Sequence, residues 1–333
     1  MRSPNDHLRW RMARLISWPL AAGTVPVASE GAETMRFTPL LATLLLWAGA
    51  VAAGPLHVFV SVLPMQTFVE RVGGDHVRVT TMVKPGQSPA TYDPTPKQIA
   101  ELGETALYVR VGVPFETGWM ERIRAANPRM RVLDARDGLS MRTMERHTHE
   151  AGPGGDGPDD EPGGADHDLS SEMDPHVWTS PPLVKRMARS IHDALVSLDP
   201  ANAGDYDRNL AVFESELDLL DAHIRTLLEG IPGRRFMVFH PAWGYFAQTY
   251  GLEQVPIEHA GKEPGPRALA ALIDQARRSG VRVIFVQPQF PKKSAEQVAR
   301  AIGGRVVAAD PLAADYGANL TRVAEEIAAA ARP

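Results

Sequence analysis

No cysteine occurs in the 333 residues of this chain. That absence removes disulfides, thiolate zinc sites, Fe–S clusters, cysteine nucleophiles and a lipidated N-terminal cysteine, so any metal must be held by histidine and carboxylates. One-sided charge is also missing. A net charge of −5, with 23% charged residues and no long Lys/Arg run, argues against nucleic acid as the main partner. Apolar runs are scarce: only Pro39–Ala53, PLLATLLLWAGAVAA, reads as one, and its length of about fifteen residues falls short of the roughly twenty that span a bilayer. There is no G-x-x-x-x-G-K-[ST], no G-x-S-x-G, no H-E-x-x-H, and no G-x-G-x-x-G behind a strand, so nothing marks a nucleotide site or a hydrolase nucleophile.

What is present points to a secreted globular protein. The apolar share of 44% excludes a mainly disordered chain, and the length suggests two domains of roughly 100–150 residues. Met35-Arg36, the apolar run and the small residues Ala50-Val51-Ala52-Ala53 form the n-region, h-region and cleavage site of a signal peptide over 35–53. Residues 1–34, with Arg2, Arg9, Arg11 and Arg14 beside Trp10 and Trp18, are then a gene-model extension before a start at Met35. A long n-region or a retained anchor is the alternative. Either way the mature fold is expected to begin near Gly54, in the periplasm and without a lipid anchor.

Strands alternate with short helices along the mature chain. The first half shows a strand at His57–Val62, a helix at Met65–Val72, a strand at Val77–Met82, a helix around Pro96–Leu102 and a strand at Ala106–Val111. The second half repeats the alternation, with strands at Arg235–Phe239, Gln254–Ile257, Val281–Val286 and Arg305–Ala308. Helices at Trp243–Tyr250, Arg267–Ser279, Lys293–Ile302 and Asn319–Ala331 separate and follow them. This βα alternation predicts an α/β fold with parallel sheets. Between the halves, Ala201–Leu228 lacks proline, and Leu210, Phe213, Leu217, Leu220, Ile224 and Leu227 recur at roughly helical spacing. The predicted helix of about 25 residues, roughly 37 Å long, is either a strut between two lobes or a long core helix of one large domain. The expected division is therefore 54–200, a linker over 201–230, and 231–333.

From Glu145 to Asp174 the chain turns to glycine, proline and ten acidic residues, carrying His147, His149 and His167. Such a stretch cannot enter a core. It reads as a solvated insertion or as a weak auxiliary site for divalent metal.

Two further histidines stand where ligands usually bind. His240 follows the strand Arg235–Phe239 and leads into a helix, and the carboxyl ends of strands are where open α/β sheets bind ligands. Asp310 holds the equivalent place after Arg305–Ala308, while His176 lies in Asp174-Pro175-His176-Val177-Trp178. Two imidazoles and a carboxylate suit a borderline-soft divalent ion such as zinc. Each residue alone also reads as a cap or a hydrogen-bonded surface group, and spacing does not bring them together.

The segments VKPGQSPATYDPTP at 83–96, DPHVW at 174–178, FHPAWGYFA at 239–247, HAGKEPGPR at 259–267, FVQPQF at 285–290 and ADPL at 309–312 resemble, in order, the zinc/manganese ABC-transporter solute-binding proteins, the zinc branch especially. The resemblance runs over nearly all of 55–333. It implies two α/β lobes, each with a mainly parallel sheet, joined by one long rigid helix with the ion in the cleft between them. It further implies a periplasmic receptor, expected to be a monomer, that delivers Zn²⁺ to an ABC permease. His176 matches a histidine ligand of the family and Asp310 its carboxylate ligand. His240 falls where zinc members have His and manganese members usually have Glu, which favours zinc over Mn²⁺. The acidic histidine-bearing loop is likewise a feature of the zinc branch. One slot departs: the family places its first His where this chain has Ala90, and Gln87, where some relatives carry His, is a poor zinc ligand.

Three protein ligands and an open position also describe a catalytic zinc. No residue names a general base, so an enzyme is disfavoured. A surface adhesion role is a third reading that a fold alone does not exclude.

Overall fold

The computed structural model describes residues 54–144, 173–231, 234–258 and 262–331. The expected signal segment and His147, His149 and His167 lie outside the described residues. In the first half, β1 (Leu56–Val60), β2 (Val77–Thr81), β3 (Leu107–Arg110) and β4 (Arg131–Asp134) form a parallel sheet in the order β2-β1-β3-β4. Helices α1 (Leu63–Gly73), α2 (Pro96–Glu101) and α3 (Pro114–Ala126) connect them. Then come α4 (Pro181–Leu198) and the long α5 (Ala203–Leu228).

The second half repeats the plan. Its strands β5 (Arg235–Val238), β6 (Glu253–Pro256), β7 (Val283–Val286) and β8 (Arg305–Ala308) run parallel in the order β6-β5-β7-β8, with α6 (Gly244–Tyr250), α7 (Pro266–Arg278), α8 (Lys293–Ile302) and α9 (Tyr316–Ala331). The matching strand orders place a topological switch point between β1 and β3 and another between β5 and β7. None of the described helices is long and apolar enough to cross a membrane.

The expected linker is α5, whose 26 residues extend about 39 Å. It does more than connect. An apolar core continues from the first sheet past Phe213, Leu217 and Ile224 of α5 to Phe236, Val238, Val283 and Phe285, one face of the second sheet. The alternate residues Met237, Ile284 and Val286 face the other way into a separate cluster with α7 and α8. This is the two-residue period of a strand buried on both faces. The chain also returns across the linker: α9 packs on α5, and the Tyr316 ring meets Phe68 of α1 edge-on at 5.0 Å.

Three elements were not anticipated: α3, β4 and α4. Helix α4 buries Val184, Met187, Ala188, Ile191 and Leu195 at helical spacing, but two prolines, Pro181 and Pro182, open it. At the first turn proline removes no hydrogen bond that the helix needs, so it starts the helix rather than breaking it.

Candidate metal centre

His176 and His240 come from opposite halves of the chain and meet, their ring centroids 5.3 Å apart and their planes at 73°. Two imidazoles bound to one tetrahedral zinc, with Zn–N near 2.0–2.1 Å, place their centroids about 5.2 Å apart. The pair is thus spaced to share an ion.

Each ring is fixed from behind. His176 Nδ1 lies 2.7 Å from Asp174 Oδ1, which also accepts the His176 backbone N–H at 3.0 Å. Asp174 is fully buried, and its other oxygen accepts from Arg142 Nη1 at 3.2 Å. Tyr245 donates its hydroxyl hydrogen to the Asp174 carbonyl at 3.0 Å and accepts the Arg142 N–H at 3.0 Å. The glycine of the FHPAWG run explains how this fits: a Cβ on Gly244 would collide with the Arg142 guanidinium. Burial lowers the His176 pKa below its ordinary value, and the Asp174 hydrogen bond only partly opposes this. The ring is thereby kept neutral, as ligation requires.

His240 is held in the same manner. Its Nδ1 lies 2.6 Å from Glu258 Oε1, and its ring stacks on Phe290 at 5.3 Å. Gln287 grips its backbone twice, accepting the His240 N–H at 3.3 Å and donating to the His240 carbonyl at 2.8 Å. His240, Glu258 and Gln287 follow β5, β6 and β7 respectively, so parallel strand ends deliver all three, with His240 and Gln287 flanking the switch point. With Nδ1 of both rings facing a carboxylate, Nε2 is the nitrogen left for an ion, the carboxylate–histidine–metal arrangement that fixes tautomer and ring orientation.

Both rings line a cavity of about 80 Å³ together with Ala90, Val113, Met144 and Gln289. Ala90 therefore does face the site, whereas Gln87 lines a different hollow, with Lys84 and Tyr92. The wall bearing Ala90 is anchored by Gln98, which completes a capping box with Thr95, accepts from Tyr92 at 2.8 Å and donates to the Met82 carbonyl at 2.7 Å. Asp310 follows β8, and its neighbours Pro311 and Leu312 line the cavity, but its Oδ1 is engaged by Gln289 Nε2 at 3.2 Å and Leu312 N at 3.0 Å. Among the described residues no three His, Asp or Glu side chains gather closely enough to hold an ion. The structure thus joins two of the three expected ligands and leaves Asp310 beside them.

Asp174, Glu258, Gln287, Gly244 and Arg142 were not anticipated as supports. Asp174, Glu258 and Gln287 had a usable signal, a polar residue just past a strand or beside a candidate ligand; Arg142 had none.

Residues 58–330 match the family described as ZnuA, zinc-uptake complex component A, periplasmic. The chain belongs to this family. Among curated relatives, the high-affinity zinc uptake system protein ZnuA of Yersinia pestis is 30% identical over 285 residues, covering 82% of this chain and 88% of that protein. The corresponding Bacillus subtilis protein is 29% identical over 254 residues, covering 75% of this chain and 76% of its own. A solved ZnuA crystal structure superposes with a TM-score of 0.74 at 40% identity, over 84% of this chain and all of that one. A zinc-bound ZnuA lacking its residues 138–173 superposes with a TM-score of 0.73, also at 40% identity, over 84% of this chain and 99% of that one. Membership accounts for the fold found here, two parallel-sheet lobes joined by a long helix, and makes the protein a solute-binding component of zinc uptake.

Proposed function

We propose that this chain captures Zn²⁺ outside the cytoplasm and passes it to an ABC permease, without chemical turnover. The observation that carries the reading is the His176–His240 pair, drawn from two lobes, spaced for one tetrahedral ion and backed by two carboxylates. His176 and His240 bind through Nε2. Asp310 is the third ligand, and it reaches the ion by exchanging its hydrogen bond with Gln289 for the metal. Nitrogen donors favour zinc over manganese, whose usual partners are oxygen. The lobes comprise 54–200 and 231–333, with 201–230 as linker. The apolar segment ending at Ala53 is a cleaved signal, so N-terminal sequencing of the exported protein should read from near Gly54.

Metal analysis of the mature protein with a competitive Zn²⁺/Mn²⁺ titration tests the reading. About one tightly held zinc per chain is expected, and at a hundredfold excess over Kd it should add roughly 2.7 kcal/mol of stability. His240→Ala should abolish both. A variant that retains the stoichiometry and the stabilisation would refute the assignment, and turnover of ester or peptide substrates by the zinc-loaded protein would replace capture with catalysis.

A further inference from the structure

Next to the histidine pair the cavity is wider than an ion needs. It measures about 80 Å³, whereas one water occupies about 10–15 Å³ by the same kind of measure. Part of its lining offers no ligand: Ala90 contributes a methyl group, and Val113 and Met144 are apolar. Two polar groups border this space. The Ser88 hydroxyl oxygen accepts the Ala90 N–H at 3.3 Å, which leaves its own hydrogen to donate. Gln289, whose amide nitrogen meets Asp310 until that carboxylate turns to the ion, keeps its carbonyl oxygen to accept.

An apolar wall bordered by one hydroxyl donor and one amide acceptor, beside an open metal position, suits a particular kind of guest. It needs a nitrogen donor for the ion, a carboxylate for the Ser88 hydroxyl, an amine for the Gln289 oxygen, and a compact apolar body. We infer that the cargo enters this cleft as a zinc–amino acid complex, an α-amino acid with a nitrogen donor occupying the space at Ala90 and completing the coordination of the ion. Histidine, whose imidazole takes the place that a side chain at position 90 leaves vacant, represents the class. The inference rests on the zinc-capture reading and names the form in which the ion is held.

Equilibrium dialysis of the mature chain with ⁶⁵Zn alone, ¹⁴C-labelled L-histidine alone, and the two together tests it. Histidine should be retained with zinc at close to one per chain, and not without zinc. Ala90 is exposed, so Ala90→Leu fills the space without disturbing the core, and it should cut histidine retention by about tenfold or more. Ala90→His should hold zinc with no labelled histidine. Full retention of zinc by the unsubstituted chain, with no histidine beside it, would overturn the inference and leave zinc capture standing. No zinc retained under any condition would overturn both.

Discussion

Glu258→Gln separates a positioning role from a structural one. In the native protein the carboxylate faces His240 Nδ1 at 2.6 Å from a site only 5% exposed, and its second oxygen has no hydrogen-bond partner among the described residues. The substitution keeps the volume but removes the carboxylate that orients the ring. It also lets an amide N–H face Nδ1, which drives the imidazole hydrogen onto Nε2, the nitrogen needed for the ion. Loss of such a support weakens metal binding by about 10–100-fold, or about 1.4–2.7 kcal/mol. At zinc a thousandfold above the native Kd, the unsubstituted protein gains about 4.1 kcal/mol and the variant only about 1.4–2.7. For a mature chain of this size that difference lowers the zinc-loaded Tm by about 2–5 °C. The metal-free Tm should stay level or rise, because a buried neutral amide costs less than a buried carboxylate with an unpaired oxygen. Chelator-competition titration and thermal melts with and without zinc provide both readouts. Zinc affinity within twofold of native, or a metal-free Tm that falls as far as the loaded one, would refute the reasoning.

Acidification should weaken zinc binding once pH falls well below about 6.5, because protons compete for the imidazoles and burial holds His176 below its ordinary value, and a flat affinity from about pH 7.5 to 4.5 would count against the histidine pair. In the metal-free protein two histidines pull in opposite directions. His176, held below its ordinary pKa by burial, contributes stability above about pH 6.5 that is lost as pH falls, since the unfolded chain takes up the proton first. For His192 burial acts downward but the Asp193 and Asp207 carboxylates outweigh it, so its contribution is present below about pH 6.5 and fades as pH rises through its raised value. Urea melts of His192→Asn against the unsubstituted protein across pH 5–8 should therefore converge at the alkaline end. Gly244→Ala should push Arg142 off the buried Asp174 and cost about 3–5 kcal/mol, seen as a lower urea midpoint, and a loss under about 0.5 kcal/mol would show that the pair tolerates the methyl group. Ala90→His should tighten zinc binding by about tenfold or more in the same competition titration, and an unchanged Kd would mean that residue 90 does not reach the ion.

Much of the architecture is written locally. The β-rich runs, the turn residues between them and the proline-free stretch at 203–228 each carry their own period. Seven of the eight strands among the described residues and the long helix were accordingly legible within a few residues of their bounds. One exception has a local cause as well: α4 begins with a proline pair that reads as a break. His240 was marked by its place after β5, because a parallel strand end is a ligand position wherever it occurs.

What no local pattern contains is which side chains meet. His176 and His240 face one another only because the core continues from the first sheet through α5 to one face of the second. The Trp178 indole N–H reaching the Pro311 carbonyl at 2.8 Å is another contact made across that junction. Arg142 finds Asp174 through the space that Gly244 leaves open, and Glu258 finds His240 because β6 lies beside β5. Residue type therefore determined that zinc would have to be bound by nitrogen and oxygen in this cysteine-free chain. The pairing of distant strand ends and loops, set by long-range packing, decided which imidazoles meet, which carboxylates hold them, and that Ala90 lines the same cavity.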